Sequence, residues 1–164
     1  MNSFSLFRNL VLAAAALLLC SACGKKPIFE ETHSLNNQTW LRFEPEKYEF
    51  NVKNIDDCYD ITLIARIDTT LVSFTEIPLI VDMYNESSEH RMLPLKMRTR
   101  DNQGKWQGKT LGCYVDITVP IRRYFYFNAK GLQRVEIKQA TSKYELHGVS
   151  ALTITVKKSD LRDK

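Results

Sequence analysis

The chain has 164 residues, 44% hydrophobic, 26% charged and 10% aromatic, with a formal net charge of +4. That length fits one domain, and a composition near the globular average excludes a disordered chain. The charges are dispersed, with no Lys/Arg run longer than a pair, which excludes the basic stripe of a nucleic-acid binder.

The first ten residues mix polar and apolar side chains and carry one charge, Arg8, and Val11 to Leu19 is a continuous apolar run. A bilayer span needs about 20 apolar residues, so this run is too short to cross, but it suits the hydrophobic region of an export signal. Cys20-Ser21-Ala22-Cys23-Gly24 follows. A lipoprotein signal peptidase needs small residues before the acceptor cysteine. Cys23 has Ser21 and Ala22 there, whereas Cys20 has Leu18 and Leu19. Residues 1–22 are therefore read as a lipoprotein signal peptide and Cys23 as the lipidated residue; the simpler alternative is an ordinary cleaved signal with a chance cysteine. At about 0.8 kcal/mol per buried methylene, two or three acyl chains, such as palmitate, anchor a protein essentially permanently. Gly24 stands where an inner-membrane retention signal has Asp, and Lys25-Lys26-Pro27 is not an acidic surface-export run. By analogy with other envelopes, both point to the outer membrane and its periplasmic face.

Residues 23–38 are mostly polar and read as the lipidated N-terminus and a tether. From Trp40 onward the hydrophobic period is two. Tyr48, Phe50 and Val52 alternate with charged and polar residues, and Tyr59, Ile61, Leu63, Ala65 and Ile67 form another alternating set. Ile77 to Tyr84 is nearly all apolar, as in a strand buried on both faces. Pro94 marks Met92 to Met97 as an edge strand. Leu111 to Val119, Arg123 to Phe127, Val135 to Ala140 and Val149 to Val156 complete the series. Polar turns separate these runs, among them Asp101-Asn102-Gln103-Gly104. The expected fold is all-β: an antiparallel β-sandwich over 39–160, with a jelly roll as one form of it.

Once Cys23 is acylated and the leader gone, Cys58 and Cys113 are the remaining thiols. In an oxidising envelope they are candidates for a disulfide, with two free thiols the equal alternative. His33, His90 and His147 are isolated, and the acidic pairs Glu30-Glu31 and Asp56-Asp57 fall in tether and turn. No metal spacing, nucleophilic triad or phosphate loop is present in the sequence, so no metal, cofactor or catalytic residue is expected. Trp106, between Gly104 and Gly108, either projects to stack on a sugar or a partner, or caps the core beside a hairpin; the capping role is the simpler. The basic-aromatic run Arg122 to Phe127 reads as a strand with one aromatic face inside.

The leader, Trp40, a strand ending in Arg66, Asp101 followed by Gly104-Lys105-Trp106-Gln107-Gly108, and Gly131 before Leu146-His147-Gly148-Val149 occur in this order. Together they resemble the gliding-motility lipoprotein family GldH of Bacteroidetes, over about residues 23–157. The resemblance implies a non-enzymatic, outer-membrane-associated accessory of the gliding or linked secretion machinery. Its partners would be other envelope lipoproteins or motility components, with Trp106 and Arg66 as candidate contact residues. The competing reading is a carbohydrate-binding envelope lipoprotein, resting on Trp106 and Trp40.

Overall fold

The computed structural model describes residues 26–87 and 89–160; the expected signal peptide and Cys23 lie outside the described residues. In chain order the strands are β1 (Phe29–Ser34), β2 (Thr39–Leu41), β3 (Glu46–Val52), β4 (Tyr59–Asp68), β5 (Glu76–Asn85), β6 (His90–Arg98), β7 (Lys109–Leu111), β8 (Tyr114–Phe125), β9 (Gly131–Gln139), β10 (Glu145–His147) and β11 (Val149–Lys158). They build one antiparallel sheet in the order β1-β11-β4-β8-β7, a second in the order β3-β9-β5-β6, and a small β10-β2 pair. Between the two large sheets lies one apolar core. This is the antiparallel sandwich that the sequence predicts.

The period-two runs explain the layering. Tyr59, Ile61, Leu63, Ala65 and Ile67 are all buried on β4, while the residues between them lie outward. Val115, Ile117, Val119 and Ile121 repeat this on β8, and Leu152, Ile154 and Val156 on β11. From the facing sheet come Tyr48, Phe50 and Val52 on β3, Ile77, Leu79 and Val81 on β5, and Val135 and Ile137 on β9. Each such aliphatic side chain contributes about 1.5–3 kcal/mol when fully buried. The Tyr48 hydroxyl crosses the core and donates to the Leu152 carbonyl at 2.9 Å, which fixes the offset of one sheet on the other. The β6 strand is the sheet edge that Pro94 predicts. The runs Leu111 to Val119 and Arg123 to Phe127, read separately from sequence, belong largely to the single strand β8. Pro120 interrupts it beyond the reach of β7, where the ladder with β4 shifts register.

One expectation is corrected, and one open alternative is decided. Residues 23–38 do not form a tether throughout, because Phe29–Ser34 is the edge strand β1, paired residue for residue with β11 from Val156 to Ala151. Only Phe29 and His33 turn inward from it, packing on Phe50 (5.1 Å between centroids) and Tyr48 (4.2 Å). The Cys58–Cys113 disulfide is excluded by register. Each cysteine immediately precedes a strand, β4 and β8, and these neighbours are antiparallel: Tyr59 pairs with Phe125, and Asp68 with Tyr114. The thiols therefore sit at opposite ends of a ten-residue strand, about 30 Å apart at 3.3 Å per residue, far outside the roughly 4.4–6.8 Å between Cα atoms that a disulfide spans. Both are free, Cys58 buried and Cys113 exposed.

The sandwich thus has two ends. The chain enters at one, where Ile28, Tyr59, Phe125 and Lys158 lie side by side across the sheet. At the far end lie Ser34, Asp68, Tyr114 and Val149.

Candidate partner-binding surface at the far end

Four loops meet at the far end, and specific contacts join them. The loop after β2 meets the loop before β10: Arg42 N–H donates to the Tyr144 carbonyl at 2.9 Å, and the Phe43 and Tyr144 rings lie 5.9 Å apart. Next, Lys143 Nζ sits 5.2 Å from the centroid of Phe74, in the loop between β4 and β5. The Thr99 hydroxyl in turn donates to the Phe74 carbonyl. Finally Gln107 N–H donates to the Thr99 carbonyl at 2.8 Å, tying in the hairpin that carries Trp106. Phe43 is 72% exposed, Leu71 56% and Tyr144 55%, so this continuous surface presents apolar side chains to solvent.

The two glycine-containing elements singled out in the sequence both belong here. In the first, the Asp101 carboxylate accepts from the Gln103 and Lys105 N–H groups, each at 2.9 Å, and closes the turn. Trp106 follows half-buried against the core, with the Arg100 guanidinium 3.8 Å from its ring centroid. It caps the core and does not project. Gly108 then passes so close to β8 that a Cβ would overlap the Asp116 carbonyl oxygen. In the second element, Leu146 and Val149 are fully buried. Gly148 has φ +89°, and a Cβ would overlap Val72 and press on Leu71. His147 stays exposed, its ring 2.9 Å from the Thr39 hydroxyl and 3.4 Å from Glu145.

Arg66 lies on the outer sheet face near this end, and its guanidinium makes a paired contact with Asp116, both N–H···O distances being 2.8 Å. The hydrogen bonds from Arg66 hold the Asp116 carboxyl below the usual carboxylate range, and Arg66 is raised in turn. Two open clefts flank the loops. One, of about 520 Å³, is lined by Thr39, Glu44, Glu46, Glu145 and His147. The other, of about 740 Å³, lies between Glu76, Arg98, Arg100, Asp101 and Gln107. In the first, Glu46 is held by His33 Nδ1 at 2.7 Å. Among the described residues no group of three or more His, Cys, Asp or Glu is arranged to hold a metal ion.

The family profile of GldH lipoproteins matches residues 27–156. The chain belongs to the GldH lipoprotein family. That span begins two residues before β1 and ends inside β11, so the family unit and the sandwich coincide. No curated protein matches the chain. Among solved structures it is similar to a family GH115 4-O-methyl-α-glucuronidase with specificity for decorated arabinogalactans, at 9% identity and TM-score 0.44. That likeness covers 84% of this chain but only 18% of the glucuronidase. It is also similar to the VP2 subviral particle protein of infectious bursal disease virus, at 9% identity and TM-score 0.34, over 82% of this chain and 34% of VP2. Neither likeness bears on function. Membership in the GldH family makes this a lipoprotein associated with gliding motility and with the cell envelope.

Sequence reasoning missed two features. One is the exposed Phe43–Tyr144 pair; its signal was a lone aromatic amid polar residues in each loop, Arg42-Phe43-Glu44 and Ser142-Lys143-Tyr144. The other is Asp82, on the outer face of β5 yet almost fully buried, with Lys138 Nζ at 2.9 Å and His90 Nε2 at 2.7 Å. Burial pushes its carboxyl up, but the hydrogen bonds from Lys138 and His90 outweigh that and leave it below the ordinary value. A single charge inside an apolar run gives no sign of which strands will supply its partners.

Proposed function

We propose that this GldH-family chain is a non-enzymatic accessory of the gliding-motility or linked secretion machinery. In this reading it is lipidated on Cys23, held at the periplasmic face of the outer membrane, and acts by binding envelope or motility proteins through its far-end loops. The observation that carries the reading is the placement of the four joined loops, with exposed Phe43, Leu71 and Tyr144, at the end opposite chain entry. A protein fixed at one end and apolar at the other is built to reach a neighbour. Binding of this kind rests on a few aromatic or arginine anchors. Phe43 and Tyr144 meet that description better than Trp106, which is committed to the core and to Arg100, or Arg66, which is committed to Asp116. The carbohydrate-binding reading has less support for the same reason: Trp40 is fully buried, and Trp106 is half-buried with Arg100 over its ring.

The test is capture of envelope partners by the acylated protein. Replacing Phe43 and Tyr144 together by Ala should cut specific capture about tenfold while leaving the melting temperature unchanged, since exposed residues contribute little to folding. Cys23→Ala should abolish acyl labelling and release the domain from membranes, and Cys20→Ala should leave labelling intact. In a gliding bacterium, Cys23→Ala should restore colony spreading poorly to a deletion strain. Glycan hydrolysis by the purified protein, or undiminished capture by the double variant, overturns the reading.

A further inference from the structure

The entry end carries a feature that the far-end reading does not use. Tyr124 sits in a bulge of β8, between Arg122, which pairs with Ile61, and Phe125, which pairs with Tyr59; it has φ 52° and is 58% exposed. For a bulky side chain this left-handed backbone is an outlier, and such strain persists only where its surroundings hold it. Here the hold is a hydrogen bond from Tyr124 N–H to Asp60 Oδ1 at 3.0 Å, and Asp60 is itself fixed by the Ser159 hydroxyl at 2.6 Å. The result is an aromatic ring kept in solvent at a cost in backbone strain. Tyr126, 53% exposed, stands beside it, its phenol pushed up by the neighbouring Cys58 thiol. Ile28, 43% exposed, lies on the same end across the sheet, three strand spacings or about 14 Å away. Arg122, Arg123 and Lys157 lie among them.

The position of β1 says what lies opposite. Phe29 already belongs to the sheet, and Cys23 is only six residues earlier in the sequence. Fully extended, six residues reach about 20 Å; as a coil they average about 13 Å. A leash that short keeps the entry end facing the bilayer at an effective concentration in the millimolar range. Tyrosine rings with a polar tip, flanked by Arg and Lys, are the side chains that settle at a lipid headgroup layer.

We infer that the entry end rests on the bilayer surface through Tyr124, Tyr126 and Ile28, which stands the sandwich upright and holds the far-end loops about 30 Å above the lipid. The inference rests on Cys23 being the anchor, and its test separates the two. The full acylated protein is reconstituted in phosphatidylethanolamine–phosphatidylglycerol vesicles, with and without brominated acyl chains, as wild type and as Tyr124→Trp, Tyr126→Trp and Tyr144→Trp. Co-flotation with the vesicles reports anchoring alone. Among floating proteins, the added emission of Tyr124→Trp and Tyr126→Trp should fall at least twofold in brominated vesicles, while that of Tyr144→Trp at the far end should not change. Equal emission in both kinds of vesicle at positions 124 and 126, or quenching at 144 instead, overturns the seating while leaving the anchor intact. Failure of wild type to float overturns both.

Discussion

Gly148 at the far end and Tyr124 at the entry end both have a left-handed backbone, for opposite reasons. At Gly148 the chain must pass between the short turn at Asn36–Gln38 and the end of β4. Its N–H donates to the Gln38 carbonyl at 2.7 Å, its carbonyl accepts from Asp68 N–H at 2.8 Å, and Val72 fills the space where a side chain would go. Packing dictates the residue. Tyr124 is more than half exposed and is not part of the core, so core packing does not call for tyrosine. A backbone exception that packing requires marks how a fold is closed; one that core packing does not require is a candidate for contact outside the fold.

That contrast can be broken by substitution. Gly148→Ala should cost about 3 kcal/mol, combining overpacking against Val72 with left-handed strain, and lower the melting temperature by roughly 10 °C. A loss under 1 kcal/mol would mean that the loop relaxes and the far end is not rigid. Tyr124→Gly should behave in the opposite way, raising stability by up to about 1 kcal/mol as the strain is relieved, measured as a shift in the urea midpoint; a clear loss would make Tyr124 structural and remove the distinction. The smallest effect belongs to Arg66. An exposed pair of this kind contributes about 0.5 kcal/mol, so Arg66→Ala should barely move the midpoint at pH 7. Because Asp116 is held below its unfolded value, the contribution is present above about pH 4 and is lost as pH falls through the depressed folded value. Wild type and Arg66→Ala should therefore converge in acid, and a gap that widens there would show that Arg66 acts otherwise.

The inner layers were legible because each central strand repeats one signal over several residues. Tyr59 to Ile67 needs only the pleat to put five apolar side chains on one face. On β1 that signal fails, since Glu31 separates the two inward rings of Phe29 and His33, and the pairing partner β11 lies more than a hundred residues away. The cysteines failed for a topological reason: two strand starts look alike in sequence, but in antiparallel neighbours they fall at opposite ends. The far-end elements were visible as patterns, yet their meaning lies in contacts no local reading supplies, Gly108 on Asp116 and Gly148 on Val72. What remains exposed there, Phe43 and Tyr144, comes from loops a hundred residues apart and becomes one patch only after β2 pairs with β10.

The antiparallel pairing of β1 with β11 has a mechanical side. The chain enters β1 at one end of the sandwich, and the apolar loops face away from the other. Tension between the segment before Phe29 and a load gripped at those loops runs along the strand axis. The paired register from Phe29↔Val156 to Ser34↔Ala151 is then sheared as a set, its hydrogen bonds sharing the pull. Force applied across the strand would instead peel those bonds one at a time. With its short edge strand running along the line of force, the domain can transmit a pull without unravelling from its first residue.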